Sequence, residues 1–119
     1  MTDATTVVDD YVATWNETDA GRRRELVQRT FADDATYIDA HRSGTGTDGI
    51  ADMIGTAQEQ FPGHRIELAR GPEDAHNDRL RFTWRLVGPD GSAVAGGADF
   101  AVLAADGRMR EVTGFPEAA

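Results

Sequence analysis

The chain has 119 residues, with 21 acidic and 12 basic side chains and a formal net charge of −9. This length suits one domain spanning residues 1–119, and the negative charge argues against nucleic acid or an anionic membrane as a partner, because both bind basic faces. The absence of cysteine excludes disulfides, thiolate nucleophiles and cysteine-bound zinc. No apolar run approaches the roughly 20 residues of a membrane span. The N-terminus has neither a basic group nor an apolar stretch, so we expect a cytoplasmic protein.

Two amphipathic helices are predicted at the start of the chain. The first spans residues 3–16, because apolar side chains recur there at helical spacing. Its apolar stripe consists of Val7, Val8, Tyr11, Val12 and Trp15. The second begins after a cap at Asp19 and runs through Phe31, with the three arginines at 22–24 directed to solvent.

The apolar period then changes to that of a strand at residues 35–40. A glycine-rich turn at 43–49 follows, within which Thr47 is predicted to cap a third helix. The apolar stripe of that helix consists of Ile50, Met53, Ile54, Ala57 and Phe61. Pro62-Gly63 ends it.

The second half of the chain reads as strands separated by turns. A strand at 64–70 precedes a turn at Gly71-Pro72. The alternating apolar residues of the next strand are Leu80, Phe82, Trp84 and Leu86. The turn at 88–91 predicts a hairpin with a strand at 92–104, and a last strand covers 108–115.

Three helices with one early strand, followed by a meander of long strands, form the pattern of an α+β fold. One face of the sheet must be covered by the helices, and a strongly curved sheet would leave a cavity between the two layers. The natural lining of that cavity consists of Trp15, Tyr37, Phe82 and Trp84.

Two familiar motifs are better explained as turn and surface residues. Gly44, Gly46 and Gly49 have dinucleotide-fingerprint spacing, but polar residues 41–43 separate them from the preceding strand, whereas the fingerprint needs the turn to follow directly. The histidines are too scattered for local metal-ligand spacing. We therefore predict neither a metal nor a cofactor.

Two aspartates occupy positions that strands disfavour. Asp39 follows Tyr37 on the same face at the end of the early strand, where it forms part of a site or caps the following turn. Asp99 lies between Ala98 and Phe100 inside a long strand, with no local turn to serve. It belongs to a site, faces solvent, or pairs with an arginine of the neighbouring strand. Local reasoning leaves these alternatives open.

Segments 31–39, 46–50 and 106–109, with the pair Gly114-Phe115, resemble the NTF2-like superfamily in sequence and order. The similarity covers nearly the whole chain and is greatest to the SnoaL-like branch, which includes polyketide cyclases and ketosteroid isomerases. It implies a cone-shaped α+β fold, in which a curved, mixed and mostly antiparallel sheet wraps around three helices and leaves an internal apolar pocket. Such proteins commonly dimerise through the outer face of the sheet, so we expect a homodimer. The apolar residues of that face in the late strands are Val94, Phe100 and Val102.

The resemblance also implies a site. Asp39 falls where ketosteroid isomerases keep their general base, and Tyr11 falls where they keep an oxyanion-hole tyrosine. Asp99 falls where they keep a second, protonated carboxyl donor. Phe31 and Ile54 stand where those enzymes often have supporting tyrosines. The expected substrate contacts are Trp15, Tyr37, Met53, Phe82 and Trp84.

These residues predict a cofactor-independent isomerase or cyclase that moves a proton next to a carbonyl of a hydrophobic, ring-containing small molecule. Asp39 is expected to be ionised and Asp99 neutral, because burial and mutual repulsion disfavour two neighbouring carboxylates. Two other classes stay open. One is a module that binds a hydrophobic ligand without reaction, and the other is a structural dimer whose cavity is filled by Trp15, Met53 and Trp84.

Overall fold

The structure is a computed structural model that describes residues 3–118, with the backbone alone at positions 73, 74 and 118. In chain order its elements are α1 (Ala4–Asn16), α2 (Ala20–Thr30), β1 (Phe31–Ile38), β2 (Ser43–Thr45), α3 (Gly46–Gln60), β3 (Arg65–His76), β4 (Arg79–Val87), β5 (Ala93–Leu103) and β6 (Met109–Ala118). The order is the one that the sequence predicts, apart from the short strand β2 inside the glycine-rich turn.

The first two helices begin at aspartate caps. The Asp3 carboxylate accepts a hydrogen bond from the Thr6 N–H at 2.9 Å, and the Asp19 carboxylate accepts one from the Arg22 N–H at 2.9 Å. Each cap satisfies an N–H group that the first helical turn leaves without a backbone acceptor. The predicted cap at Asp19 is confirmed.

Two predictions around α2 are wrong. Phe31 begins β1 instead of ending α2, because it already pairs with Met109 of β6 and its backbone is extended. Arg23 does not point to solvent: it is 7% exposed, and its guanidinium packs over Gly55 of α3. Gly55 has no side chain, which leaves room for this guanidinium.

Two predicted boundaries also shift. The cap of α3 is Thr45 instead of Thr47, and it makes no side-chain capping hydrogen bond. β3 does not turn at Gly71-Pro72, since its pairing with β4 continues with register shifts as far as His76. The turn comes at 77–78 instead, where both residues adopt a positive φ.

The described strands form one sheet in the order β2-β1-β6-β5-β4-β3. Among the described strands, β1 and β6 pair in parallel and the other neighbours are antiparallel. The predicted α+β class, with three helices and a mixed, mostly antiparallel sheet, is confirmed. Because β1 and β5 both flank β6, residues far apart in sequence meet at the centre of the sheet.

The helices pack against one face of the sheet and bury an apolar core with it. The largest side chains of this core include Tyr11, Phe31, Ile50, Ile54, Leu80, Phe82 and Met109. On the opposite face, Ile38, Phe100 and Phe115 remain 56%, 47% and 59% exposed. Within residues 3–118, no helix is both long enough and apolar enough to cross a membrane.

Candidate active site

A cavity of about 450 Å³ opens between the helices and the covered face of the sheet. This volume falls in the range of small-molecule sites. Its buried inner wall includes Tyr11, Tyr37, Ala57 and Asp99, and half-buried Trp15, Asp39 and Trp84 extend this wall. Its mouth is marked by lining residues that remain exposed, among them His41, Phe61, Arg65, Val94 and Glu117.

The inner wall carries two clusters of hydrogen-bonded side chains, here called polar groups. The first polar group joins Tyr11 of α1 to Asp99 of β5 and Trp84 of β4. The Tyr11 hydroxyl, on the buried face of α1, lies 2.5 Å from Asp99 Oδ2 in β5. The Trp84 indole N–H, in β4, donates to Asp99 Oδ1 at 3.0 Å. Asp99 is only 2% exposed, so the alternative that it faces solvent is wrong.

This arrangement sets the protonation of Asp99. Burial raises the pKa of Asp99 to about 6, against the lowering effect of the Tyr11 and Trp84 hydrogen bonds, and the Asp39 charge adds a smaller increase. Burial and the Asp99 charge together raise the pKa of Tyr11 well above its ordinary value. Asp99 therefore changes protonation within the range of pH in which proteins work, whereas Tyr11 keeps its proton.

The second polar group lies at the end of β1. The Tyr37 hydroxyl donates to Asp39 Oδ2 at 2.6 Å, while Asp39 Oδ1 accepts the backbone N–H groups of His41 and Arg42 at 2.7 and 3.0 Å. Burial, followed by the Asp99 charge, raises the pKa of Tyr37. Asp39 thus caps its turn and lines the cavity at the same time.

Gly114 of β6 lets the two polar groups approach each other. It pairs with Asp99 across the sheet, and a Cβ built on it would lie 2.9 Å from Asp99 Oδ1. The same Cβ would lie 3.1 Å from both the Tyr37 hydroxyl and Asp39 Cβ. The structure therefore brings Tyr11, Asp39 and Asp99 into one cavity.

Trp15 forms the aromatic wall between the two tyrosines. Its ring centroid lies 6.3 Å from that of Tyr11 and 5.6 Å from that of Tyr37. Its indole Nε1 is buried and has no hydrogen-bond acceptor among the described residues. Because Trp15 and Trp84 line an open cavity, they do not fill it.

Met53 and Phe82 were predicted as substrate contacts, and the structure places both in the core behind the cavity wall. Phe82 is fully buried and packs edge-on against Tyr11, with ring centroids 5.1 Å apart. Met53 of α3 is 8% exposed and belongs to the apolar core. Phe82 and Trp84 are two residues apart and lie on the same face of β4; their positions along the strand separate them, since Phe82 packs in the core and Trp84 lines the cavity.

Sequence patterns did not indicate the polar residues that hold and line the mouth. Asn16, at the end of α1, makes two hydrogen bonds to the backbone of Ile66, and Gln58 of α3 donates to the carbonyls of Trp15 and Glu17. Arg42 lines the cavity three residues after Asp39. Among the described residues, no group of three or more histidine or carboxylate side chains is placed to hold a metal ion.

Comparison with solved structures establishes the family. A candidate isomerase of the SnoaL-like family from Agrobacterium tumefaciens strain C58 is 45% identical over 98% of this chain and 99% of that chain, with a TM-score of 0.92. The chain therefore belongs to the SnoaL-like family.

Two more distant structures share the fold. An NTF2-like protein of unknown function from Exiguobacterium is 22% identical over 94% of this chain and 98% of that one, with a TM-score of 0.73. A protein with a ketosteroid isomerase-like fold from Catenulispora acidiphila is 16% identical over 91% and 82% of the two chains, with a TM-score of 0.74. No protein-family model matches the sequence, and no curated protein matches it.

Proposed function

We propose that this protein is a cofactor-independent isomerase or cyclase, which transfers a proton next to a carbonyl of a hydrophobic, ring-containing small molecule. The observation that carries the proposal is the convergence of Tyr11, Asp39 and Asp99 on one cavity with aromatic walls. A base and two hydrogen-bond donors around an apolar space are the groups that enolisation needs.

Asp39 is the proposed base. Its carboxylate is held by the Tyr37 hydroxyl and by two backbone N–H groups, so its position on the cavity wall is fixed before a ligand enters. A carboxylate has about four lone-pair positions, so these three hydrogen bonds leave one for a substrate C–H. A positioned base of this kind contributes roughly 10²- to 10⁴-fold to a rate.

Tyr11 and Asp99 are the proposed donors to the carbonyl oxygen as it becomes an enolate; for this role the single Tyr11 hydroxyl proton, which is donated to Asp99 Oδ2 in the free protein, turns to the substrate oxygen. Tyr11 keeps its proton because its pKa is raised by burial and by Asp99. Asp99 donates only in its neutral form, which its burial favours. Substrate in the cavity excludes water and carries developing negative charge, and both effects favour the neutral form further.

Turnover of a β,γ-unsaturated ketosteroid tests this proposal. We expect wild type to isomerise it, and Asp39→Asn to be slower by about 10²- to 10⁴-fold, because the amide oxygen still accepts the turn N–H groups but is not a base. Asp48→Asn is the matched control, since Asp48 is an exposed aspartate paired with Arg24. Absence of isomerisation by wild type, or equal rates for wild type and Asp39→Asn, would contradict the proposal.

A non-catalytic module that binds a hydrophobic ligand is the second candidate. Phe31 and Ile54 favour it: they stand where steroid isomerases often have supporting tyrosines, and both are fully buried apolar residues here. The network that would support Tyr11 from behind is therefore apolar. Ligands that raise the melting temperature without being consumed would favour this candidate over the enzyme.

We also infer a homodimer formed through the uncovered face of the sheet. Ile38, Phe100 and Phe115 project from three neighbouring strands on that face, and each is about half exposed. Apolar groups this close together on a sheet usually have a partner. A second copy offers a self-complementary face of the same composition. The mass of the protein in solution tests this inference.

A further inference from the structure

The mouth of the cavity is rich in basic side chains, alongside the carboxylate of Glu117, although the chain is strongly acidic. Arg42, Arg65, His41 and His64 all line it, in a protein whose formal net charge is −9. The proposed proton transfer uses none of these four side chains. Their position at the mouth calls for a separate explanation.

The two arginines differ in what they bind. Arg65 donates to Glu67 Oε2 at 2.7 Å, and 54% of its side chain is exposed. Only 21% of the Arg42 side chain is exposed, and its Nε lies 3.9 Å from Asp39 Oδ2, too far for a hydrogen bond. The Arg42 guanidinium donates no hydrogen bond to any described residue.

The Arg42 guanidinium makes no hydrogen bond to a described residue, so its N–H donors are free to bind a ligand. A ligand group with two oxygens would satisfy them in a bidentate geometry, which is the preferred geometry of arginine with carboxylates. Since Arg42 lines the cavity, such a group reaches it from inside the cavity.

We propose that Arg42 anchors an anionic oxygen group, such as a carboxylate, on the ligand of this cavity. The inference rests on the proposed function only in placing a hydrophobic ligand there. It narrows the ligand class to amphipathic acids, in which a ring system lies between Trp15 and Trp84 and an acidic group lies at the mouth.

The acidic groups of the inner wall fix the orientation of such a ligand. Asp39 and Asp99 face the cavity, and like charges at short range repel each other. Burial already disfavours the Asp99 anion and would disfavour a second anion beside it, whereas Arg42 offsets the charge of an acidic group at the mouth, although the Asp39 carboxylate lies 3.9 Å from its Nε. The carbonyl end then lies nearest Tyr11 and Asp99.

Two fluorescent probes with the same rings test the anchor. Anilinonaphthalene sulfonate carries an anionic group, and N-phenylnaphthylamine lacks it. We expect Arg42→Gln to weaken binding of the sulfonate probe about tenfold and to leave the neutral probe unchanged. Arg42→Lys should recover part of the lost affinity, because lysine restores the positive charge but not the planar, bidentate guanidinium. Neither probe is a substrate, so the result does not depend on whether the protein is an enzyme.

Control variants distinguish an interaction with Arg42 itself from an effect of the overall charge of the protein. Arg24→Gln removes an exposed arginine that is paired with Asp48 on another surface, and it should bind both probes as wild type does. Arg65→Gln should weaken the sulfonate probe less than Arg42→Gln, because Arg65 is already neutralised by Glu67. Salt also screens the repulsion between the sulfonate and the net charge of −9, so raising the salt concentration should weaken the sulfonate probe more in wild type than in Arg42→Gln. Equal losses for both probes in Arg42→Gln, equal losses in the two mouth variants, or the same salt dependence in wild type and Arg42→Gln would each overturn the anchor.

Discussion

Asp99 is 2% exposed, and it accepts hydrogen bonds from a phenol and an indole. These hydrogen bonds stabilise its anion, yet burial has the larger effect and raises its pKa from 3.8 to about 6. The folded protein therefore binds this proton more tightly than the unfolded chain does. Stability from this group is fully present below pH 3.8 and is lost as the pH rises through about 6.

Asp99→Asn should remove this contribution to the pH dependence. The shift of the pKa from 3.8 to about 6 corresponds to roughly 3 kcal/mol at about 1.4 kcal/mol per unit. We expect wild type to lose about this much free energy of unfolding, relative to Asp99→Asn, between pH 4 and pH 7. Urea unfolding at several pH values measures the difference. Parallel profiles for the two proteins would show that Asp99 does not titrate in this range.

Single residues also show what a sequence can reveal about a site. Asp39 and Asp99 could be found because a strand disfavours aspartate, so their presence there needed a reason. Arg42 gave no such signal, because an arginine in a polar turn is ordinary. Its significance comes from its low exposure and the absence of a hydrogen-bonded partner among the described residues, and both are properties of the folded molecule.

At the scale of the elements, the hairpin of β4 and β5 positions one wall of the site. Trp84 pairs with Gly97 across the hairpin, and a Cβ on Gly97 would lie 2.9 Å from Trp84 Cζ2 and 2.7 Å from the Phe115 carbonyl oxygen. The absence of a side chain at Gly97 leaves room for the indole ring. From there the indole reaches Asp99, two residues further along β5.

Gly97→Ala should therefore displace the indole ring and destabilise the fold by about 1–3 kcal/mol, the usual cost of an overpacked site. Gly49→Ala is the matched control: Gly49 lies in α3, where the nearest atom to an added Cβ is 3.9 Å away. Alanine in a helix is favourable by up to about 1 kcal/mol over glycine, so this variant should be as stable as wild type or more so. Urea unfolding followed by tryptophan fluorescence compares them, and equal stabilities would refute the steric argument.

Element types were predictable from periodicity, whereas several boundaries were not. Phe31 continues the apolar pattern of α2, and only its pairing with Met109 of β6 assigns it to a strand. Gly71-Pro72 is a strong turn signal, yet β3 passes through it because β4 offers backbone partners on the far side. In both cases a pairing partner distant in sequence outweighs the local preference.

At the scale of the whole molecule, one face of the sheet is covered by helices and the other is exposed. The exposed face carries Ile38, Phe100 and Phe115, whereas the apolar pattern of the late strands predicted Val94, Phe100 and Val102 there. Of the latter set, Val102 is half-buried, and Val94 lines the mouth of the cavity. Of the three predicted residues, Phe100 is the one that the structure also leaves exposed on this face.

Light scattering at micromolar concentration should give twice the 12.9 kDa mass of the chain. Phe100→Asp should shift the mass to that of a monomer, because it places a charge at the centre of the proposed interface. Its fold should be retained, since Phe100 is already 47% exposed in the single chain. A wild-type mass of one chain would refute the dimer, and a Phe100→Asp dimer would place the interface elsewhere.

The sequence by itself determined the α+β class, the order of the helices and strands, and the polar residues that strands disfavour. These follow from apolar periodicity, turn chemistry and local propensity, which act between near neighbours. Only the tertiary structure decided that Tyr11, Asp39 and Asp99 share one cavity, that Phe82 and Met53 lie behind its wall, and that Arg42 faces into it. Each of these depends on strand pairing and helix packing between distant segments, which no local pattern encodes.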